Sequence, residues 1–162
     1  MITSKVKSKI AACFYYTLSP ISPSQTSRLL YWRKFKRPLD LKAPKTLNEK
    51  IMWLKLNTYS CDPLVSQCAD KWRVRDYVES VGWGKALNQI YGVWDSATQI
   101  PWDTLPNSFV LKCNHGCGYN ILCPQKEILD INNTTQRINK WMHTDFWRYY
   151  AELQYQDIPK RI

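Results

Sequence analysis

The sequence predicts a mixed α+β chain: helices first, then a short pair of strands, then helices again. Three observations carry that expectation. Thr46-Leu47-Asn48-Glu49 is a Thr-x-x-Glu capping box, Phe109–Cys123 reads as two β-rich runs around a glycine loop, and helical spacing recurs on both sides. At 162 residues the chain has one domain's length, and eight Trp with ten Tyr exclude a disordered polymer.

The first twenty residues, MITSKVKSKIAACFYYTLSP, place Lys5, Lys7 and Lys9 before an apolar run, Ile10 to Leu18. That run is too short to span a bilayer, and no small-residue cleavage site follows it. It reads either as a basic amphipathic segment lying on an anionic leaflet or as a first helix packed on its own domain. Pro20, Pro23, Pro38 and Pro44 then punctuate the chain, so loops are expected around a short helix near Thr26–Lys36. Residues 1–45 are expected to form a basic arm or helical extension, and residues 46–162 the domain proper.

Thr46 opens the first firmly signalled helix, with Leu47, Ile51 and Leu54 at the spacing of one buried face. Asp62-Pro63 offers a second start, with Asp as cap and Pro at the first helical position. Asp70 is expected to restart the helix, with Val74, Tyr77, Val78 and Val81 buried and Gly82 ending it. Leu87–Val93 and Phe109–Cys113 read as strands, and Ile121–Cys123 as a return strand after a loop at Asn114–Asn120. The tail returns to helix over roughly Thr134–His143 and Asp145–Gln154.

Charge is unevenly spread. Residues 1–50 hold eleven Lys and Arg against two acids, while residues 51–162 hold twelve against eleven. The basic end favours an anionic partner: a membrane leaflet, a nucleic acid or an acidic polymer; the plainer reading is a solvated face. Six Cys without an export signal indicate reduced thiols and a cytoplasmic setting.

The stretch FVLKCNHGCGYNILC admits two chemistries. A metal reading uses Cys113, His115, Cys117 and Cys123, but that spacing lacks the second close pair usual for zinc, and strand cysteines commonly serve as small apolar residues. A phosphate reading uses Gly116 and Gly118, whose freedom at positive φ lets backbone N–H groups surround an anion, together with Lys112 on the entering strand. Alternation puts Val110 and Lys112 on the face opposite Phe109, Leu111 and Cys113. Taken alone this is also compatible with a simple tight turn. Asp70-Lys71 is a second candidate phosphate contact, or merely a capping Asp before a surface Lys. His115 suits a phosphate contact, an acid/base or a hydrogen-bonded loop residue, while His143 reads as structural or surface.

These pieces resemble a family, the TupA-like ATP-grasp proteins of bacterial cell-surface polysaccharide and teichuronopeptide biosynthesis. Pro44-Lys45-Thr46-Leu47-Asn48-Glu49-Lys50 with Trp53-Leu54-Lys55-Leu56 is similar to the family's Pro-Lys-Thr-Phe-Asn-Glu-Lys…Trp-Leu-Lys-Leu signature. Ala69-Asp70-Lys71…Arg75-Asp76-Tyr77-Val78 resembles its next block, Gly92-Val93-Trp94-Asp95 the one after, and Leu105–Cys113 with His115, Gly116 and Gly118 its strand and glycine loop. The resemblance runs in order from about Leu39 to Ile162.

It implies an ATP-grasp fold, of which residues 46–162 would form the N-terminal and part of the central subdomains. Lys71 and Lys112 match the two nucleotide lysines, and His115, Gly116, Cys117, Gly118, Tyr119 and Asn120 match the loop over the triphosphate. The implied partners are ATP, with Mg²⁺ on its phosphates, and an acidic or lipid-linked polysaccharide precursor; the implied chemistry is ATP-dependent ligation or transfer through an acyl phosphate. Cys117 stands where a small polar residue such as Ser is expected, which removes a hydroxyl donor. The adenine-contacting acidic strand and the Mg²⁺ ligands of the family have no counterpart before Ile162, so the 162-residue chain alone is expected to be inactive or very weak.

Two other functions compete. One is a non-catalytic module that binds an anionic polymer or nucleic acid through Tyr31-Trp32-Arg33-Lys34-Phe35-Lys36-Arg37, although no nucleic-acid signature accompanies it. The other is a glycosyltransferase, for which no Asp-x-Asp motif is present.

Overall fold

The capping box forms as the sequence predicts. Thr46 Oγ1 accepts from the Glu49 N–H at 3.4 Å, and Glu49 Oε2 accepts from the Thr46 N–H at 2.9 Å. The helix they open, α3, runs Leu47–Asn57. The protein is seen here as a computed structural model that describes residues 4–162; the side chains of Ser4, Lys5 and Lys7 lie outside that description. Two units make up the chain: residues up to Ser66 with Asp145–Gln156, and Gln67–Thr144 with Asp157–Ile162.

The first unit is helical. It contains α1 (Ser4–Leu18), α2 (Pro23–Phe35), α3, and α7 (Trp147–Tyr150) followed by a 3-10 turn at Leu153–Tyr155. Ser22 caps α2 by accepting from the Gln25 N–H, and Lys36 closes it in the left-handed region. Tyr16 of α1 packs on Tyr149 with ring centroids 5.1 Å apart, so α1 is a helix packed within its own unit. In α2, Tyr31 is buried against Phe35 and donates to the Glu49 carboxylate, while Lys36 sits over the exposed Trp32 ring. The basic aromatic run thus spans the end of α2, with Tyr31 buried and Trp32 and Phe35 exposed.

The buried face of α3 departs from the expectation. Leu47 and Ile51 are 72% and 40% exposed, and the inward positions are Glu49 and Lys55. These charges tolerate burial because each is satisfied. Glu49 takes the Lys45 and Thr46 N–H groups and lies 3.8 Å from Arg37; the Lys55 ammonium donates to the Tyr150 carbonyl at 2.8 Å. Those backbone bonds, the Thr46 N–H first, hold the Glu49 carboxyl below its ordinary range despite the cost of burial. The predicted tail helix at Asp145–Gln154 is also interrupted. Ala151, fully buried, adopts φ 51°, and α7 ends there after four residues.

The second unit carries the sheet. The helix α4 (Pro63–Ala69) leads into it, with Asp62 Oδ1 accepting from the Leu64 N–H at 2.9 Å. Next comes α5 (Val74–Ser80), which ends at Gly82 with φ 84° as predicted. Its expected stripe is only half realised: Val74 and Val78 are half-buried, whereas Tyr77 and Val81 are exposed. A seven-residue helix has two turns, and one i,i+4 pair is all it turns inward.

Leu87–Val93 forms no ladder, contrary to the expected strand. The Asn88 carbonyl is taken by the Arg75 guanidinium at 2.8 Å, and pairing is confined to the next residue. There the Trp94 and Ile162 N–H groups and carbonyls exchange bonds of 3.0 and 2.8 Å.

The strands β1 (Phe109–Lys112) and β2 (Asn120–Cys123) form an antiparallel hairpin with Phe109 opposite Cys123 and Lys112 opposite Asn120. Phe109, Leu111, Ile121 and Cys123 point into a core that includes Ala97, Ile100, Leu105 and Ile138. Each fully buried large side chain there contributes about 1.5–3 kcal/mol. Ile138 comes from α6 (Ile131–Met142), capped by Asp130, which accepts from the Asn133 N–H at 2.9 Å. Among the described residues no helix is long and apolar enough to cross a membrane.

Candidate functional site

Strand alternation leaves Val110 and Lys112 on the outer face of β1, as the sequence predicts. Against that face lies a cavity of about 640 Å³ within the second unit. Its wall takes Lys112 from β1, Lys71 and Arg75 from the segment around the start of α5, and Arg161 from the chain's last residues. Ile90, Val93, Trp94, Val110 and Ile162 supply an apolar and aromatic part. Among the described residues, no Asp or Glu lines it.

Asp70 organises this wall. It is 2% exposed, and its Oδ1 accepts from the N–H groups of Trp72 and Arg73 at 2.8 and 3.3 Å. The same oxygen accepts from Asn114 Nδ2 at 3.0 Å. Asn114, itself 3% exposed, also donates to the Pro159 carbonyl at 2.8 Å and accepts from the Arg161 N–H at 2.7 Å. One amide side chain thus joins the Asp70 turn, the end of the hairpin strand and the last residues. The sequence reading passed over Asn114, Arg75 and Arg161; an Asn directly after a strand and before a glycine loop was the available signal.

Lys71 is bonded to the loop. Its ammonium donates to the Gly116 carbonyl and, at 3.4 Å, to that of Asn114. Although the residue is exposed overall, desolvation around its ammonium pushes its pKa down. Lys112 is exposed, and no hydrogen-bond acceptor for its ammonium is found among the described residues.

The remaining candidates divide. His115 is 2% exposed, with Nε2 3.0 Å from the Trp141 carbonyl; a carbonyl only accepts, so Nε2 carries the proton. Tyr119 stacks on Trp141 with centroids 5.2 Å apart. Both side chains anchor the loop to α6. Gly116 is buried, Cys117 and Asn120 are exposed, and Gly118 has φ 76°. None of the six residues from His115 to Asn120 forms part of the cavity wall.

The two cysteines on the hairpin lie in the core, Cys113 at 1% and Cys123 at 2% exposure. Burial pushes the Cys113 thiol up to about 12, which disfavours the thiolate that a metal would need. His143 sits exposed at the end of α6, with Nδ1 2.7 Å from the Asn139 carbonyl.

Four cations, of which Arg161 lies 3.4 Å from Asp95 Oδ1, stand beside an apolar and aromatic surface, an arrangement suited to an anionic ligand with an apolar part. They do not fit a bare divalent cation, which takes oxygen ligands. Among the described residues no cluster of three or more His, Cys, Asp or Glu side chains is placed to hold a metal.

No curated protein and no solved structure matches the chain. A family model described as TupA-like ATPgrasp matches residues 49–162, more than half of the sequence and all of the second unit. The chain belongs to the TupA-like ATP-grasp family.

Proposed function

We propose that this protein binds ATP in the cavity beside β1 and activates a carboxylate on a cell-envelope polysaccharide or its precursor. ATP-dependent, ligase-type chemistry comes with the family; the acceptor and the envelope role are our reading. The observation that carries it is the convergence of Lys71 and Lys112 on one carboxylate-free cavity.

Lys112 supplies a compact, unengaged positive charge for phosphate oxygens. Lys71 exchanges the loop carbonyls for a phosphate, so nucleotide binding releases the Gly116 carbonyl and re-orders the loop. The residues His115, Gly116, Cys117, Gly118, Tyr119 and Asn120 act together: Gly116 and Gly118 give the loop its freedom, and His115 and Tyr119 fix its base on Trp141. The apolar side of the cavity takes the base. In the reaction a carboxylate oxygen attacks the terminal phosphorus, the bond to the bridging oxygen breaks, and ADP leaves. An amine or other nucleophile then displaces phosphate from the acyl phosphate. Mg²⁺, bound together with the nucleotide, would supply positive charge that offsets the phosphates' own.

Titration with a fluorescent ATP analogue tests the binding step, and acceptor-dependent ADP release tests the chemistry. Lys112→Ala is expected to weaken nucleotide binding at least about tenfold. Undiminished binding and turnover in that variant would remove the assigned role.

A further inference from the structure

The outward face of α1 is apolar. Val6, Ile10 and Phe14 follow at i, i+4 and i+8 and are 45%, 59% and 53% exposed, and Ile21 beyond the helix is 81% exposed. Cys13, on the same side, is exposed as well. A run of large side chains left in water on one helix face marks an interaction surface. A flank of the helix is already used, where Tyr16 packs on Tyr149.

Charge identifies the occupant. Before Asp40 the sequence holds eight Lys and Arg and no acid, and Lys9 lies exposed beside the stripe. A second copy of the chain would set like charges against each other. A polyanion without an apolar phase would leave the stripe in water. An anionic lipid surface accepts both features, taking the apolar side chains below its headgroups and the ammonium groups among them. We infer that α1 lies in the interface of an anionic phospholipid membrane, with Val6, Ile10, Phe14 and Ile21 as its inserted edge. The inference is independent of the nucleotide reading.

The test is co-sedimentation of the purified protein with vesicles. Phosphatidylcholine vesicles containing phosphatidylglycerol are expected to pellet it, and pure phosphatidylcholine vesicles to leave it largely in solution. High salt should weaken the first interaction. Ile10→Asp with Phe14→Asp is expected to lower the bound fraction at least about tenfold, while Ile128→Asp, at an exposed apolar residue of the other unit, binds as the parent does. Ile10→Ser with Phe14→Ser repeats the test without adding charge, with circular dichroism to check the helix. The inference is overturned if the parent stays in solution, or if the folded stripe variants pellet undiminished. It is also overturned if light scattering shows those variants dissociating an oligomer instead.

Discussion

Asn114 Nδ2 lies 3.0 Å from Asp70 Oδ1, and the two side chains, 3% and 2% exposed, lock the hairpin end to the turn that carries Lys71. The pair is a scaffold at the cavity, because Asp70 Oδ1 and both polar atoms of the Asn114 amide are bonded within the protein. Asn114→Ala removes two donated bonds and one accepted bond and leaves the Pro159 carbonyl and Arg161 N–H without their partner. The expected loss is about 2–4 kcal/mol, read as a lowered denaturant midpoint at unchanged slope. Asn114→Asp sets a second carboxylate against Asp70. Its deficit should shrink in mild acid, where one of the two takes a proton. A deficit that ignores pH would argue that the two groups do not face each other.

Lys71 and Lys112 line one cavity but differ in what holds them, so their variants should separate. Lys112→Ala removes an unengaged cation, with lower affinity for nucleotide and a melting temperature within about 1 °C of the parent. Lys71→Ala also removes the bonds to the Gly116 and Asn114 carbonyls, at a stability cost of about 1–2 kcal/mol. Parallel thermal scans and nucleotide titrations distinguish them. Equal stability losses would contradict the different bonding of the two ammonium groups.

What the sequence disclosed follows the range of the interaction. The Thr46–Glu49 box, the Asp62-Pro63 start, the Gly82 stop and the alternation of β1 are contacts within four residues, where spacing suffices. The misread faces of α3 and α5 come from assuming that apolar residues turn inward. In α3 two charged residues do so: Glu49 is satisfied by N–H groups three and four residues away, and Lys55 meets Tyr150 across 95 residues. The unformed strand at Leu87–Val93 has the same origin: β-prone residues do not make a ladder without a neighbouring strand. Lys71 and Lys112 stand out in the sequence, after an Asp and on the strand before the glycine loop, and both line the cavity. Asn114 does not stand out, since its role exists only once Asp70, Pro159 and Arg161 are brought around it.

Two glycines near the site should respond to Ala for different reasons. At Gly118 a Cβ meets nothing within 4 Å, and the cost is backbone strain at φ 76°, about 1–2 kcal/mol. At Gly92 the Cβ would lie 2.3 Å from the Trp94 ring, which lines the cavity, so the ring must move. Gly92→Ala is therefore expected to weaken nucleotide binding and to shift tryptophan fluorescence, whereas Gly118→Ala leaves that fluorescence unchanged. The same spectra for both variants would place Trp94 elsewhere.

Lys55 provides a pH signature. Burial lowers its pKa to about 8, although Glu152 nearby acts in the opposite sense. An unfolded lysine titrates near 10.4, at roughly its model-peptide value. Between these two values the unfolded chain binds more protons than the folded one, so stability rises with pH across that window. The slope approaches about 1.4 kcal/mol per pH unit at most. In Lys55→Met that contribution disappears, and Glu152, its carboxyl pushed up by burial, exerts its effect at lower pH. Urea unfolding of both proteins at several alkaline pH values isolates the term, because the groups they share cancel in the difference. Lys55→Met should be the less stable protein at pH 8, with the gap widening as pH increases. A gap constant across that range would mean that Lys55 keeps an ordinary lysine's affinity for its proton in the folded chain.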